Sequence, residues 1–332
     1  MVAPKTIHSK LHWFYWESYT TWLSGFALFT VLYLYNASTF LIDKSLMAWS
    51  PAQAIAVALA FLVVFWLIYD GVCRWLGFRK NGELMVGAIM LVVVAGAAYL
   101  ACHWFAGRAA FLLVGAMLAT SMSANVFFWI IPGQRKVVAA MTSGKAYDGK
   151  ALAIHGKRGK QRSVHNTYFT LPVLFAMLSN HYSFTYAHEH NWLVLVLMML
   201  AGAAIRQYFV LRHGYKHGRH GNPIRYALAG IFIIFGVILW LAPAPQATAP
   251  LMAEAPDTAA ILKLTQTRCI LCHGASVQMK NVRLDSEALI NQHAAAIYQQ
   301  VVVTKQMPMN NATGITPEER QLVANWFGAH KP

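Results

Sequence analysis

Leu84-Met85-Val86-Gly87-Ala88-Ile89-Met90-Leu91-Val92-Val93-Val94-Ala95-Gly96-Ala97-Ala98-Tyr99-Leu100-Ala101-Cys102 is a run without a single charged side chain. A helix crosses a bilayer core with roughly 20 apolar residues, so this stretch reads as a transmembrane span. Runs of similar character lie at about 19–41, 51–70, 84–105, 109–131, 167–183, 192–211 and 226–242. The first is long enough to be an anchor, and no cleavable signal peptide is read there. The fifth is the most polar, with Pro172, Ser179, Asn180 and His181. Composition agrees: of 332 residues, 57% are hydrophobic and only 12% charged, too apolar for soluble domains. The expected fold class is all-α, with a polytopic helical membrane domain of about seven spans.

The net charge of +15 points away from nucleic acid once its distribution is read. Residues 251–332 carry only +1, and the remaining +14 sits in residues 1–250, mostly in short loops between apolar runs. The loop at 132–167 holds Arg135, Lys136, Lys145, Lys150, Lys157, Arg158, Lys160 and Arg162 against the single Asp148. Arg212, Lys216, Arg219 and Arg225 lie between the sixth and seventh runs, and Arg74, Arg79 and Lys80 between the second and third. Such alternate basic loops belong in the cytoplasm, while the near-neutral loops around Asp43-Lys44, Arg108 and Glu189 belong outside. Seven spans from an inner N-terminus place the C-terminus outside. The expected location is the bacterial inner membrane.

Past the last span the chemistry changes. Residues 243–258 form a Pro/Ala-rich tether, extended and semi-rigid. It separates a membrane domain at 1–242 from a C-terminal domain at 259–332 that holds Cys269-Ile270-Leu271-Cys272-His273. Two cysteines two residues apart, followed at once by histidine, read as a covalent haem c site with His273 as proximal iron ligand. A zinc site would need a second pair of ligands, and there is no second CxxC. Met307, within Lys305-Gln306-Met307-Pro308-Met309, suits the second axial position; Met279 and Met309 are rivals. Thr316-Pro317-Glu318-Glu319 is a capping box that opens a closing helix through Trp326. The reading is a small class I-like cytochrome c on the periplasmic side, where covalent haem is attached. Cys73 and Cys102 are left isolated and read as packing residues.

A membrane domain fused to such a unit is expected to donate electrons to it. No nucleotide or flavin fingerprint occurs. The segment Lys160-Gln161-Arg162-Ser163-Val164-His165-Asn166-Thr167-Tyr168, running on to Ser179-Asn180-His181-Tyr182, concentrates polar groups on one short span. Polar side chains at membrane depth are expensive and point to function. His165 and His181 stand about 24 Å apart along a helix and cannot share one iron. His181 and His103 either clasp a second, b-type haem or sit hydrated among headgroups. Asn125 with Pro132-Gly133-Gln134-Arg135-Lys136 forms another polar cluster, read either as a fork for a flat anion or as ordinary flanking charge. His213, His217 and His220 read as a solvated basic turn, and Trp13, Trp16 and Trp22 as an aromatic belt.

Taken in order, Leu11-His12-Trp13-Phe14, Trp22-Leu23-Ser24-Gly25, Ala124-Asn125-Val126-Phe127, Ile131-Pro132-Gly133-Gln134-Arg135-Lys136, Gln161-Arg162-Ser163-Val164-His165-Asn166, Thr170-Leu171-Pro172-Val173, Ser179-Asn180-His181-Tyr182 and Met307-Pro308-Met309-Asn310-Asn311 carry a resemblance. With the haem motif, they make nearly the whole chain similar to the membrane-bound bacterial urate hydroxylases, which join a multi-span urate oxidase domain to a cytochrome c. The resemblance implies oxidation of urate to 5-hydroxyisourate, with electrons passed to haem c and onward to a terminal oxidase or soluble cytochrome. In that frame His165 is the expected general base, with Arg135 and Asn166 binding urate. Members of the family also carry a histidine-containing span ahead of the point matching Met1-Val2-Ala3-Pro4, so either the true start lies upstream or that span is missing here. The competing expectation is a quinol-oxidising or electron-carrier cytochrome.

Overall fold

The computed structural model describes residues 14–143, 148–242 and 256–329. Among them are helices and turns but no strand, so the all-α class is observed. Trp13, Lys145 and most of the 243–258 tether lie outside the described residues.

The chain enters as α1 (Phe14–Phe29), which passes through a π turn at Thr30–Leu34 into the short α2 (Ala37–Phe40). Next come α3 (Pro51–Leu76), α4 (Gly82–Trp104) and α5 (Gly107–Asn125), the last running through a π turn at Val126–Ile130 into α6 (Ile131–Thr142). After them follow α7 (Gly149–Leu178), α8 (Ser183–Tyr186), α9 (Asn191–Lys216) and α10 (Ile224–Leu241). Five of these stretches are long and apolar enough to cross a membrane: Pro51–Leu76, Gly82–Trp104, Gly107–Thr142, Asn191–Lys216 and Ile224–Leu241. They coincide with five of the seven expected runs.

The first and fifth runs differ in kind. The first is helical but interrupted by its π turn and the Asn36 break. The fifth is only the second half of α7, whose first half carries Lys150, Lys157, Arg158, Lys160 and Arg162. The stretch 132–167, read from sequence as a basic loop, is therefore largely helix. Lys, Arg, Gln and Ala are all good helix formers, and Asp148 caps the start by accepting from the Lys150 amide at 2.8 Å.

Helix α5 is the hub. Ala109, Ala110, Phe111, Leu113, Val114 and Met117 are fully buried, and the helix packs on α3, α4 and α7. Small residues allow the backbones to close up, as they do between membrane helices. A Cβ on Gly115 would sit 2.6 Å from the Ala176 Cβ of α7, and one on Gly202 of α9 would sit 3.0 Å from the Leu171 Cβ. Helix α10 packs chiefly on α9 at the periphery and leaves Phe232, Phe235 and Leu239 exposed, as a lipid-facing helix does.

The C-terminal unit is built from α11 (Thr258–Arg268), α12 (Ile270–His273), α13 (Glu287–Gln292), α14 (Ala294–Tyr298) and α15 (Pro317–Ala329). Ile261, Ile290, Val323 and Trp326 make its core. Thr316 and Glu319 cap α15 reciprocally, with the Glu319 amide on Thr316 Oγ1 (3.2 Å) and the Thr316 amide on Glu319 Oε2 (2.8 Å). Arg268 then ties α11 to α15 by donating Nε and Nη2 to Glu319 at 3.0–3.1 Å.

Candidate functional site

One face of α7 gathers a polar network inside the membrane bundle. His165 donates Nε2–H to Glu83 Oε2 of α4 (2.8 Å) and accepts at Nδ1 from the Tyr69 hydroxyl of α3 (2.9 Å). That tautomer follows from the partners: an ionised carboxylate can only accept, so Nε2 carries the proton. Tyr69 oxygen in turn accepts from Asn125 Nδ2 of α5 (3.1 Å), and Asn125 Nδ2 donates also to Asn166 Oδ1 (2.9 Å). Gln161 Nε2 holds the other Glu83 oxygen at 2.7 Å. Glu83 keeps 60% of its side chain exposed against 12% for His165, so the carboxylate is the open end of this chain and the imidazole its middle. Cys73 Sγ lies 3.7 Å from His165 Nδ1, which puts a cysteine read as packing against the network itself.

Beneath this runs a buried ion pair. Arg162 Nη2 donates to Asp70 Oδ1 at 2.7 Å, with the two side chains 3% and 11% exposed. Trp129 Nε1 donates to the same Asp70 oxygen at 2.7 Å. The guanidinium lies 4.8 Å from the Tyr69 ring centroid and 5.4 Å from that of Trp129. A charge this deep is stable only when paired and stacked, and here it is both. The pair fixes α3, α5–α6 and α7 together and so positions Tyr69 against His165.

The network opens on a cavity of about 1040 Å³ between α4, α7 and α9. Lys157, Lys160, Gln161, Glu83 and His165 line one end; Val86, Met90, Val94, Leu118, Pro172 and Met199 line the other. Lys157 and Lys160 pair with no carboxylate among the described residues, so the polar end is cationic.

The residues singled out from sequence fall in different places. His165 and Asn166 are in the network; Asn166 also donates Nδ2 to the Met122 carbonyl (3.0 Å). Arg135 is exposed on α6, with its guanidinium 5.8 Å from the Tyr15 ring, and does not join His165. Tyr69, Asp70, Glu83 and Arg162 are the members sequence reading did not select. Arg162 falls in the Gln161–Asn166 block but reads from sequence as one of the basic residues of the 132–167 loop.

At the far end of the bundle Asn180 Oδ1 accepts from Tyr33 Oη (3.2 Å) and Arg108 Nε (3.1 Å). His103 bonds its own helix through the Tyr99 carbonyl (2.7 Å), His181 is exposed, and the described residues show no contact between them. His213 and His217 are in ring contact at 4.5 Å, yet no group of three or more His, Cys, Asp or Glu suited to a metal ion occurs among the described residues. Trp16 is exposed, whereas Trp22 turns inward and donates to Thr120 Oγ1 (3.0 Å).

In the C-terminal unit, His273 Nδ1 donates to the Val282 carbonyl at 3.1 Å, and Nε2 has no partner among the described residues. Cys269 and Cys272 are both free thiols, and burial, with the neighbouring Cys272 adding to it, pushes Cys269 up to about 11. Cys269, Val282 and Met307 pack on one hydrophobic core. The Met307 turn is pinned by its amide on the Gln300 carbonyl (3.1 Å) and by Arg320 Nη1 on its own carbonyl (2.9 Å). Two thiols, an oriented imidazole with a free nitrogen and a fixed thioether are the donor set a covalent His/Met haem requires. The rival Met279 is 47% exposed. The adjoining turn Met309–Asn311 lies against α2 of the bundle.

A family model described as urate oxidase N-terminal matches residues 1–242. Neither the curated proteins nor the solved structures provide a match.

Proposed function

The chain belongs to the urate oxidase N-terminal family, and from that premise we propose that it is a urate hydroxylase of the bacterial inner membrane. The reaction is urate + H2O → 5-hydroxyisourate + 2 H⁺ + 2 e⁻, with the electrons leaving for a haem c rather than for dioxygen. The observation that carries this reading is the cationic, hydrogen-bonding end of the cavity, built from residues inside the matched region. Urate is planar, anionic near neutral pH and edged with amides. Lys157 and Lys160 draw the anion to the mouth. Glu83, the exposed acceptor, takes a purine N–H and its proton, and His165 behind it, donating Nε2–H to that carboxylate, orients it as the second member of the acid–base pair. Tyr69 donates to His165 Nδ1 and keeps the ring in the tautomer that serves Glu83, the role an orienting group plays in any acid–base chain. Asn125 and Asn166 hold Tyr69 and the α5–α7 contact, which gives Asn166 a positioning role beside its expected role in urate binding.

Cys269, Cys272, His273 and Met307 hold the haem, which when bound supplies a one-electron sink. Seven spans, counting α1–α2 and the second half of α7, set the C-terminal unit on the periplasmic face. The packing of Met309–Asn311 against α2, beside the near-neutral Asp43-Lys44 loop, supports that placement. From there electrons pass to a terminal oxidase or soluble cytochrome.

The test is the origin of the product oxygen. Urate turned over by the full-length protein in isotopically labelled water should yield 5-hydroxyisourate carrying the label, with no hydrogen peroxide formed. Label entering only from dioxygen, or stoichiometric peroxide, would refute the dehydrogenase reading.

A further inference from the structure

The three walls of the cavity are graded in the same direction. Along α7 the lining runs Lys157, Lys160, Gln161, Val164, His165, Tyr168, Phe169, Pro172, with the charged groups at one end and the apolar ones at the other. Along α4 it runs from Glu83 to Val86, Gly87, Met90, Leu91 and Val94, and along α9 from Gln207 to Ala203, Leu200 and Met199. Three independent helices that turn apolar together make an amphipathic cavity inside a bilayer. Its volume of about 1040 Å³ stands at the top of the usual ligand-pocket range of about 300–1,000 Å³, far beyond what a purine fills. The apolar rim also faces outward: Leu84 is 75% and Leu91 46% exposed, and a Cβ on Gly87 between them would meet nothing within 4 Å. The cavity thus opens sideways, toward lipid.

Resting on the urate reading, we propose that this cavity binds an isoprenoid quinone, which takes the electron pair from urate and hands it on to the haem one electron at a time. Tyr168 donates its hydroxyl to Gln207 Oε1, which leaves the amide N–H groups of Gln207, a residue that lines the cavity, without a partner among the described residues. His165 and Tyr168 are three residues apart and so share one face of α7, with Cβ atoms about 5–6 Å from each other. The cavity therefore offers two polar stations, one turn apart. Urate occupies the cationic mouth at Lys157, Lys160 and Glu83. The quinone ring lies one turn deeper, with a carbonyl on Gln207 and its chain along Met90, Val94 and Met199. A carrier of two electrons and two protons matches what urate releases: urate + H2O + quinone → 5-hydroxyisourate + quinol. The C5–O bond forms from water, both protons end on the quinone oxygens, and the Glu83–His165 pair lies where they must pass.

The site is tested by titrating decyl-ubiquinone into the detergent-solubilised full-length holoprotein and measuring binding calorimetrically, without urate. Saturable binding at one site is expected, weakened at least tenfold by Gly87→Phe. Gly87→Leu, a smaller plug on the same open face, serves if the Phe variant fails to fold, as judged by circular dichroism. Absence of saturable binding, undiminished binding in both variants, or equal competition by decanol, which has the tail and no ring, would overturn the proposal. Adding urate anaerobically then separates the two readings. Haem reduction by urate that needs the added quinone supports both. Haem reduction unaffected by the quinone overturns the relay and upholds urate, whereas binding with a haem that urate leaves oxidised upholds the site and overturns urate as the donor.

Discussion

Two histidines of this chain are each steered by an oxygen acceptor, and they end in opposite states. His165 donates Nε2–H to the Glu83 carboxylate and accepts from Tyr69 at Nδ1, so both ring nitrogens are occupied. His273 spends only Nδ1, on the Val282 carbonyl, and keeps Nε2 free. An imidazole engaged on both sides between ionisable groups can relay a proton but has no lone pair for a metal. One with a single backbone partner is an oriented ligand and a poor relay, since a backbone carbonyl cannot carry the proton away. The neighbours, more than the histidine itself, decide which task each performs.

The largest effect that would sharpen this contrast is on the His273 side. Replacing Cys269 and Cys272 together by Ala should abolish covalent attachment, and His273→Ala the low-spin spectrum. The checks are whether haem colour stays with the protein in acid acetone for the first and the absorption spectrum for the second. Covalent haem in the double variant, or an unchanged low-spin spectrum in His273→Ala, would erase the distinction. On the His165 side, His165→Gln should lower urate turnover by up to about 10²–10⁴-fold, the usual share of acid–base catalysis, while dithionite still reduces the haem. A rise in KM alone would instead make His165 a binding residue.

Next in size is the support beneath His165. Arg162→Met leaves the buried Asp70 only the Trp129 N–H and, at 3.8 Å, the exposed Arg74, and should cost up to about 3–5 kcal/mol, read as a lower melting temperature in detergent. Double replacement of Arg162 and Asp70 by apolar residues should recover much of that loss. The smallest effect belongs to Arg135. Exposed on α6 against Tyr15, it should change stability by less than about 0.5 kcal/mol when replaced by Gln. A rise in KM with kcat unchanged would give it the urate contact that the flat-anion argument expects.

These differences follow how far apart the parts lie in the chain. The cysteines and histidine proposed to hold a haem fall within five consecutive residues, and the Thr316–Glu319 cap within four. Each is a local event, legible from spacing. The apolar spans are legible for the same reason, since length and hydropathy are properties of one stretch. His165 could be suspected because it sits among polar residues on a span. Its partners could not. Glu83 opens α4 where acids commonly sit at a helix N-terminus, and Asp70 looks like the last turn of a span. Arg162 is one of eight basic residues in a stretch that reads as a cytoplasmic loop. Only the folding of α7 as one continuous helix carries its charged half into the bundle, and no periodicity in a polar segment announces that. A lone acid inside an apolar run, such as Asp70, is the one signal that was available, because an intramembrane carboxylate implies a cation to match it.

The central claim is that urate gives its electrons to this chain's own haem. The direct measurement mixes urate anaerobically with membranes holding the oxidised full-length protein and follows the haem absorbance. The account predicts prompt appearance of the sharp reduced bands, slowed by His165→Gln and absent in Cys272→Ala. A haem that dithionite reduces but urate leaves oxidised would contradict it.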